Sequence, residues 1–374
     1  MENLSQKENY LNDKYTLRFA KKEDDEGIRE VYESGSFPGN LEVRFHRDPS
    51  PFDSFIADGE EHRMMVIEDN EAKRIIAVGG AVKRQEYVGK EIVTNAYMTG
   101  LKIHPDYQKK IFFIAKAYNF LWRGMGECAH CYTTILDDNT SVISMLEKKH
   151  RNMPSYKYVG HYTTFFFDGG KRMMKVCEKE VNEDGSIDFE NEKEKSEKER
   201  IFGFLKKNYS FIPSNENLRG FGKNKWFYAT NDDNEIIASC FVGDQKATKQ
   251  YEVRSYSGAL KAASFLPTKL LGYPAFPKPK EIVNHGIISY LYIKDNDGYT
   301  CKKFIRTVAS LAGYSLYIWG CFENHPLSET FKKMKTIPYG SRLYEVDWED
   351  KLTDKSREDL IDEYGMIGVE VALL

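Results

Sequence analysis

The residues with the clearest chemical spacing follow a predicted strand, in the stretch "LKIHPDYQKKIFF" at positions 101–113. Pro105 interrupts strand pairing because proline has no N–H group. A basic turn with Lys109 and Lys110 then precedes a predicted helix, whose first N–H groups and dipole attract anions. The stretch either holds a phosphate-bearing cofactor or only joins a strand to a helix. An acyl-CoA site would need free N–H and C=O groups on the strand for the pantetheine arm and helix N-terminal N–H groups for the pyrophosphate, and the stretch has that shape.

The elements around this stretch alternate between strand and helix patterns. Residues 15–34 predict a strand, an acidic turn and a helix with Ile28, Val31 and Tyr32 on one side. Further strands and helices follow in the order strand 63–69, strand 74–103, helix 111–125, strand 131–136, helix 140–149 and strand 156–167. This order predicts an α/β layer with a partly parallel sheet.

A charged segment divides the chain into two similar halves. Residues 188–200, "DFENEKEKSEKER", read as a solvated linker or as the first turns of an exposed helix. After them the order of elements begins again with little sequence identity, as diverged tandem copies would. We therefore predict an N-terminal domain at 1–170, a charged linker at 171–200 and a C-terminal domain at 201–374.

Composition excludes several classes of protein. The 374 residues are 41% hydrophobic and 30% charged, and the net charge of −3 gives no general attraction to nucleic acid or to an anionic membrane. No run of 18 apolar residues occurs, and the start "MENLSQKENYLNDKY" is too polar for a signal peptide. We expect a cytoplasmic protein without a nucleic-acid or membrane partner.

The opening stretch resembles the acetyl-CoA loop of the GCN5-related N-acetyltransferases (GNAT superfamily), which reads Q/R-x-x-G-x-G/A after a strand and a proline. Gln108 takes the first position of that loop. Asn139, after "YTTILDD", matches the asparagine that contacts the CoA arm in the superfamily. The match covers about residues 15–167. It implies an α/β fold of two tandem GNAT-like domains, each a mixed, mostly antiparallel sheet flanked by helices, with a degenerate C-terminal half.

The resemblance also implies the co-substrate, acetyl-CoA or a related acyl-CoA, and no metal. The residues that it places against the co-substrate are Leu101, Lys102, Ile103, Gln108, Lys109, Lys110, Ile111, Phe112, Phe113 and Asn139. Four positions depart from the superfamily's pattern. Ile111 and Phe113 replace the loop glycines, Leu146 replaces the tyrosine that protonates the CoA thiolate, and Gly100 stands where related sequences place a carboxylate.

Acyl transfer from a thioester to an amine needs an aligned carbonyl, a donor for its developing oxyanion and a base for the ammonium. Asp137 and Asp138 lie near the expected acyl end of the site, and Tyr97 lies on the central strand. Tyr156 or Tyr158 could replace the acid missing at position 146. The alternatives are a helix N-cap for the two aspartates and aromatic packing for the three tyrosines.

The acceptor is expected to be a small-molecule or peptide amine. The segment 39–55 lies where this fold lines the acceptor pocket, so Glu42, Arg44 and Arg47 could select a charged acceptor; otherwise the segment is a solvated loop. The second half lacks the loop motif, and we expect it to cover the acceptor site or to form a homodimer contact. Two other functions stay open: a FemABX-like aminoacyl transferase, and a CoA-binding or scaffold protein without catalysis.

The six cysteines form no disulfide framework, which suits a reducing compartment. Cys128 and Cys131 make a CxxC motif with His130 between them. A zinc site would need two more ligands at a recognisable spacing, and no second CxxC occurs. The simpler interpretation is a helix-to-strand turn with buried thiols.

Overall fold

The structure is a computed structural model, and it describes residues 9–35, 41–108, 113–148, 150, 152–215, 225–266, 268 and 273–374. The strands are β1 Asn9–Tyr10, β2 Tyr15–Phe19, β3 Leu41–His46, β4 Glu61–Asp69, β5 Arg74–Val88, β6 Glu91–Ile103, β7 Cys131–Leu136, β8 Ser155–Phe167, β9 Cys177–Glu180, β10 Tyr209–Ser210, β11 Ile212–Pro213, β12 Lys225–Thr230, β13 Ile236–Gly243, β14 Gln250–Tyr256, β15 His285–Ile293, β16 Leu316–Phe322, β17 Ile337–Asp347 and β18 Met366–Ile367. The helices are α1 Asp25–Glu33, α2 Pro51–Ile56, α3 Ile114–Met125, α4 Thr140–Leu146, α5 Glu192–Asn208, α6 Gly258–Ser264, α7 Gly298–Leu311, α8 Ser328–Lys332 and α9 Arg357–Tyr364.

One large sheet contains most of the strands. Its order is β1-β2-β4-β5-β6-β7-β17-β8-β16-β15-β13-β12-β9, with β11 added on β5. Neighbours are antiparallel except at two places, where β6 pairs with β7 and β15 pairs with β16 in parallel. Helices α3 and α7 make the two parallel crossovers. The predicted α/β fold with a mixed, mostly antiparallel sheet is therefore confirmed.

The two halves exchange strands at the centre of this sheet. β17, from the second half, pairs with both β7 and β8 of the first half. β8 in turn pairs with β16 of the second half. The predicted linker 171–200 contributes β9, which pairs with β12, and the first turns of α5. The boundaries at 170 and 200 stay a prediction, but the sheet itself runs without a break through both halves.

The side chains of the first half alternate between two apolar cores. On β4, Met65 and Ile67 belong to the core that contains α3 and α4 residues, whereas Met64 and Val66 belong to the core that contains α1, α2 and α9 residues. Successive strand residues point to opposite faces, so helices cover both faces of the sheet. The predicted apolar side of α1 at Ile28, Val31 and Tyr32 is buried in the second of these cores.

The segment 39–55, predicted as pocket lining or as a loop, contains a strand. β3 pairs with β14 in an antiparallel ribbon separate from the large sheet. Arg47 is buried, donates to Ser54 Oγ at 2.6 Å and lies over the Phe55 ring at 4.8 Å. Glu42 accepts a hydrogen bond from Ser255 on β14. The ribbon therefore joins the two halves, and Arg47 has a packing role.

Candidate functional site

A cleft opens where β6 and β7 separate. The two parallel strands pair only at Ala96 with Cys131 and at Tyr97 with Tyr132. Beyond these positions β7 pairs on its other side with β17, while β6 continues along β5 to Ile103. Within the described part of the chain, the edge of β6 that faced β7 therefore has no strand partner along 99–103. This is the strand edge that was predicted to carry a pantetheine arm.

Two hydrogen bonds hold the closed end of the cleft together. Thr133 Oγ1 donates to the Met98 carbonyl at 2.8 Å, and the Tyr97 hydroxyl lies 2.7 Å from Thr134 Oγ1. Tyr97 is 4% exposed, and burial raises the pKa of its phenol. This predicted catalytic residue thus lies at the point where the strands part.

A β-bulge shapes the strand edge in the cleft. Gly100 and Leu101 lie opposite the single residue Gly79 of β5, where the register shifts. Gly100 has a φ of +69°, and a Cβ atom there would lie 2.6 Å from the Tyr32 hydroxyl and 2.8 Å from Phe55 Cζ. Tyr32 also donates to the Gly100 carbonyl at 3.1 Å. The backbone conformation and the lack of space therefore explain why this position carries glycine and no carboxylate.

An apolar cavity adjoins the bulge, between α3 and the sheet. It has a volume of about 340 Å³ including its open mouth. Its lining consists of Met65, Ile67, Ala77, Val78, Gly79, Leu101, Ile103, Ile114, Ala117 and Tyr118. Leu101 is 45% exposed, which is high for a leucine in the interior of a strand. The predicted residues Leu101 and Ile103 thus share an apolar wall with the first turns of α3.

The turn between β6 and α3 is described only in part. Pro105 to Tyr107 form one turn of 3₁₀ helix, which ends at Gln108, and the Tyr107 hydroxyl donates to Asp69 at 3.1 Å beneath the turn. Phe113 occupies the N-cap position of α3 without a side-chain cap. Lys109, Lys110, Ile111 and Phe112 lie outside the described residues. Their predicted contacts with the phosphates stay a prediction.

Lys102 follows the bulge and contacts α1. Its Nζ donates to the Tyr32 carbonyl at 3.0 Å and to the Gly35 carbonyl at 2.7 Å, at the C-terminal end of that helix. Burial and, to a smaller extent, the charge of Arg44 lower the pKa of Lys102 to about 8. In this arrangement only the backbone of Lys102 is left to contact a pantetheine arm.

The two predicted aspartates lie beside β17. Asp138 accepts a hydrogen bond from the Tyr339 hydroxyl at 3.1 Å. Asp137 Oδ1 lies 3.7 Å from His161 Nδ1 and 3.8 Å from Arg342 Nε. Neither aspartate is the N-cap of α4, because Asn139 occupies that position. Sequence reasoning missed Tyr339 and Arg342, since only the exchange of strands brings them here.

The two tyrosines of β8 have different surroundings. Tyr156 is 8% exposed, belongs to the core beneath α3 and α4, and hydrogen bonds to Tyr118. Tyr158 is half-buried, and its ring centroid lies 5.9 Å from the Arg342 guanidinium and 5.6 Å from that of Arg357. Burial raises the pKa of both phenols. Of the two, Tyr158 is the more accessible.

A buried polar network behind Tyr97 was not predicted. The Arg84 guanidinium lies 4.9 Å from the Tyr97 ring centroid and donates to the Tyr132 hydroxyl at 3.1 Å. Tyr132 donates to Glu86 at 2.7 Å, and Asn95 donates to Glu86 at 2.9 Å. Burial raises the pKa of Glu86, and the charge of Arg84 opposes that rise. The sequence signal was two charged residues, two positions apart, inside an apolar strand.

The second half contains a corresponding opening between β15 and β16, which pair only at 285–287 with 316–318. A bulge places Tyr290 and Leu291 opposite Cys240, and Tyr290 has a φ of +49°. Here a carboxyl contacts the strand edge, and a cavity of about 370 Å³ including its open mouth adjoins it, lined in part by Tyr290, Leu291 and Glu370. The Tyr290 N–H donates to the Glu370 carboxyl at 2.9 Å, and burial raises the pKa of Glu370 to about 8.

The described residues contain no group of three His, Cys, Asp or Glu side chains that could hold a metal ion. None of the helices in the described part of the chain is long and apolar enough to cross a bilayer.

The sequence matches no protein-family model, and a search of curated proteins gave no match. Solved structures do match the fold. The N-myristoyltransferase of Saccharomyces cerevisiae with bound myristoyl-CoA aligns over 92% of this chain and 85% of its own, at 9% identity and a TM-score of 0.53. A GCN5-related N-acetyltransferase from Sphaerobacter thermophilus aligns over 90% of this chain and 97% of its own, at 10% identity and a TM-score of 0.50. The protein has the fold of the GCN5-related N-acetyltransferases, as the opening motif predicted.

Proposed function

We propose that the protein is an N-acyltransferase that moves an acetyl or related acyl group from acyl-CoA to an amine of a small molecule or peptide. The observation that carries the proposal is the cleft between β6 and β7, with a bulge at Gly100 and α3 directly beyond the strand. Both compared proteins are named as acyltransferases, and one holds myristoyl-CoA. We further propose that the chain consists of two tandem domains of this kind and that the first one binds the co-substrate.

In this proposal the pantetheine arm adds to the free edge of β6 at 99–103, and the pyrophosphate lies near Gln108 and the first turn of α3. Peptide N–H groups at the bulge stabilise the oxyanion of the tetrahedral intermediate, because the bulge turns them away from the β5 ladder. The apolar wall at Leu101 and Ile103 contacts the uncharged part of the co-substrate. The amine attacks the thioester carbonyl, and the CoA thiolate leaves.

Proton transfer is assigned to residues near the opening. Tyr97 lies where the strands part, and Asp137, Asp138 and Tyr158 lie where β17 meets β7 and β8. We propose these four as candidates for deprotonating the amine or protonating the thiolate. We do not propose Tyr156 for proton transfer, because its hydroxyl is hydrogen-bonded to Tyr118 in the core. A thiol with a pKa near 8.5 is a tolerable leaving group even without an acid.

A second function, CoA binding without transfer, is favoured by one observation. Leu146, at the position of the usual tyrosine, is 5% exposed and packs in the core beneath α4. A leucine cannot protonate a thiolate, and its burial leaves no room for a water in its place. We therefore expect slow transfer, and its complete absence would favour the binding protein.

The test combines binding with turnover and uses two residues of β6 that are similarly exposed. Acetyl-CoA should raise the melting temperature, and Leu101→Glu should weaken that binding at least tenfold because it places a carboxylate in the apolar wall. Ile92→Glu is the control, since Ile92 is 52% exposed near the other end of β6. Thioester consumption with a panel of amines then measures transfer. Equal binding by both variants would show that the cleft is not the site.

A further inference from the structure

The CxxC motif lies in a tightly held turn between α3 and β7. The Ala129 N–H donates to the Thr94 carbonyl at 2.8 Å, and the Ala96 N–H donates to the His130 carbonyl at 2.8 Å. These two bonds fix both sides of the turn on β6. Cys131 is the first residue of β7 and 3% exposed, whereas Cys128 in the turn is only half-buried. The motif therefore presents one accessible thiol with a second, buried thiol behind it.

The two thiols interact with each other and with cations. A hydrogen bond with Cys131 lowers the pKa of the Cys128 thiol; burial opposes this, and the charges of Lys83 and His130 add to the lowering. The same hydrogen bond and burial raise the pKa of Cys131. The surroundings thus make Cys128 the more acidic of the two thiols.

The remaining cysteines have no such arrangement. Cys240, Cys301 and Cys321 are buried in the core of the second half, and burial raises the pKa of each thiol. Cys177 is half-buried like Cys128 and lies at the start of β9. It therefore provides a matched comparison for Cys128.

We propose that Cys128 and Cys131 are a redox-active dithiol, with Cys128 as the attacking thiol and Cys131 as the resolving thiol, and that small-molecule disulfides oxidise the pair. The Cys128 thiolate attacks one sulfur of a disulfide such as oxidised glutathione, whose S–S bond breaks and releases one thiolate. Cys131 then loses its proton and attacks the Cys128 sulfur of the mixed disulfide, which forms the internal S–S bond and releases the second thiolate. Two electrons and two protons pass from the protein to the small disulfide, which becomes two thiols.

The pair lies at the closed end of the cleft, next to the positions where β6 and β7 pair. Trp348 contacts this region: its indole lies near Cys131 and stacks on Trp122 with ring centroids 4.8 Å apart. Oxidation should therefore change the surroundings of a tryptophan. The resulting change in fluorescence is a measure of oxidation that does not depend on thiol alkylation.

The test equilibrates the full chain in glutathione buffers from reducing to oxidising and then alkylates it for intact-mass and peptide analysis. We expect four alkylated cysteines of the six after oxidation, with a peptide disulfide between Cys128 and Cys131 and a change in tryptophan fluorescence at the same midpoint. Cys131→Ser should trap glutathione on Cys128. Cys128→Ser should form no mixed disulfide with glutathione at the motif, and Cys177→Ser should behave as wild type.

A direct measurement on the unmodified protein avoids any effect of the substitutions on folding. At pH 7 a thiol reagent should label Cys128 at least tenfold faster than Cys177 in the reduced native chain. Equal labelling rates for these two residues, or six alkylated cysteines after oxidation, would overturn the proposal. A disulfide that maps to any other pair would overturn it as well.

Discussion

The clefts of the two halves have the same backbone arrangement but are surrounded by different side chains. In each half a strand leaves its parallel neighbour after two or three paired residues and carries a bulge beyond that point. The two bulge residues are Gly100 and Leu101 on β6, and the corresponding residues on β15 are Tyr290 and Leu291. Leu101 is 45% exposed at the mouth of a cavity, whereas Leu291 is 6% exposed in the core.

The difference lies in what faces the bulge. In the first half the bulge carbonyl at Gly100 accepts from the Tyr32 hydroxyl on one side, and an apolar cavity adjoins the other. In the second half the bulge N–H at Tyr290 donates to the buried carboxyl of Glu370. The same strand geometry therefore yields a bulge beside an apolar cavity in one half and a bulge whose N–H is held by a carboxyl in the other. Function must be argued from those side chains and not from the fold alone.

The largest expected effect comes from Gly100→Ala. The new Cβ atom would overlap Tyr32 and Phe55 in addition to the strain of a positive φ, so we expect a loss of roughly 2–4 kcal/mol in the free energy of unfolding. Gly89→Ala is the matched control, because Gly89 has a φ of +62° with nothing within 4 Å and should lose only about 1 kcal/mol. Urea unfolding measures both, and equal losses would contradict the steric argument.

The buried carboxyl of Glu370 should make the free energy of unfolding depend on pH. The pKa of Glu370 is raised to about 8 in the folded chain, so between pH 4.5 and 8 the folded state binds the extra proton and stability falls as pH rises. Glu370→Gln removes this dependence and should be more stable than wild type by about 2–3 kcal/mol at pH 8. Urea unfolding at pH 4, 6 and 8 tests this, with the exposed Glu91→Gln as control. Parallel pH curves for wild type and Glu370→Gln would refute it.

The carboxyl at the second bulge predicts a single CoA site per chain. Acetyl-CoA should bind with a stoichiometry of one in calorimetric titration, since Glu370 holds the N–H at the second bulge. At a hundredfold excess over Kd the ligand should add about 2.7 kcal/mol to the free energy of unfolding. Two equivalents, or binding that survives Leu101→Glu, would place CoA elsewhere.

The smallest effect concerns Lys102, the charged group of the open cleft. Its pKa is lowered to about 8 by burial, so between pH 8 and 10.5 the unfolded state binds more protons and stability rises with pH. Lys102→Met should remove this rise, which solvent screening keeps to about 1 kcal/mol or less. The sign is opposite to that for Glu370, and thermal unfolding at pH 7.5 and 9.5 distinguishes them. An unchanged rise in the variant would show that another group titrates.

Local patterns in the sequence were enough to predict most of the elements. The apolar spacing in α1 and the Val- and Ile-rich runs of β4, β5 and β6 correspond to elements of the structure. Pro105 ends β6 nearby, as predicted, although α3 begins at Ile114 and not at 111. These signals work because they depend on residues that are neighbours in the chain.

Contacts between distant residues were missed. β3 was not predicted, because its partner β14 lies about 200 residues further on. The position of β17 beside Asp137 and Asp138 was missed for the same reason, because β17 lies far from these residues in the chain. Gly100 was noted only as a departure from the superfamily's pattern, and the reason for a glycine there, a positive φ close to Tyr32, needs the three-dimensional structure. Register between remote strands is set by side-chain packing over the whole sheet, which one sequence does not encode locally.

The exchange of strands has a consequence for the order in which the protein can be completed on the ribosome. β7 and β8 are synthesised early, yet β17, the strand between them, begins at Ile337. Until then the middle of the sheet has two unpaired edges, and the cleft between β6 and β7 lacks the strand that pairs with β7 on its other side. Unpaired edges of nascent chains attract other strands. Arrested nascent chains that end before residue 337 should therefore bind chaperones more strongly than longer chains in which β17 has left the ribosome. The first half should not form its binding site before the second half is synthesised.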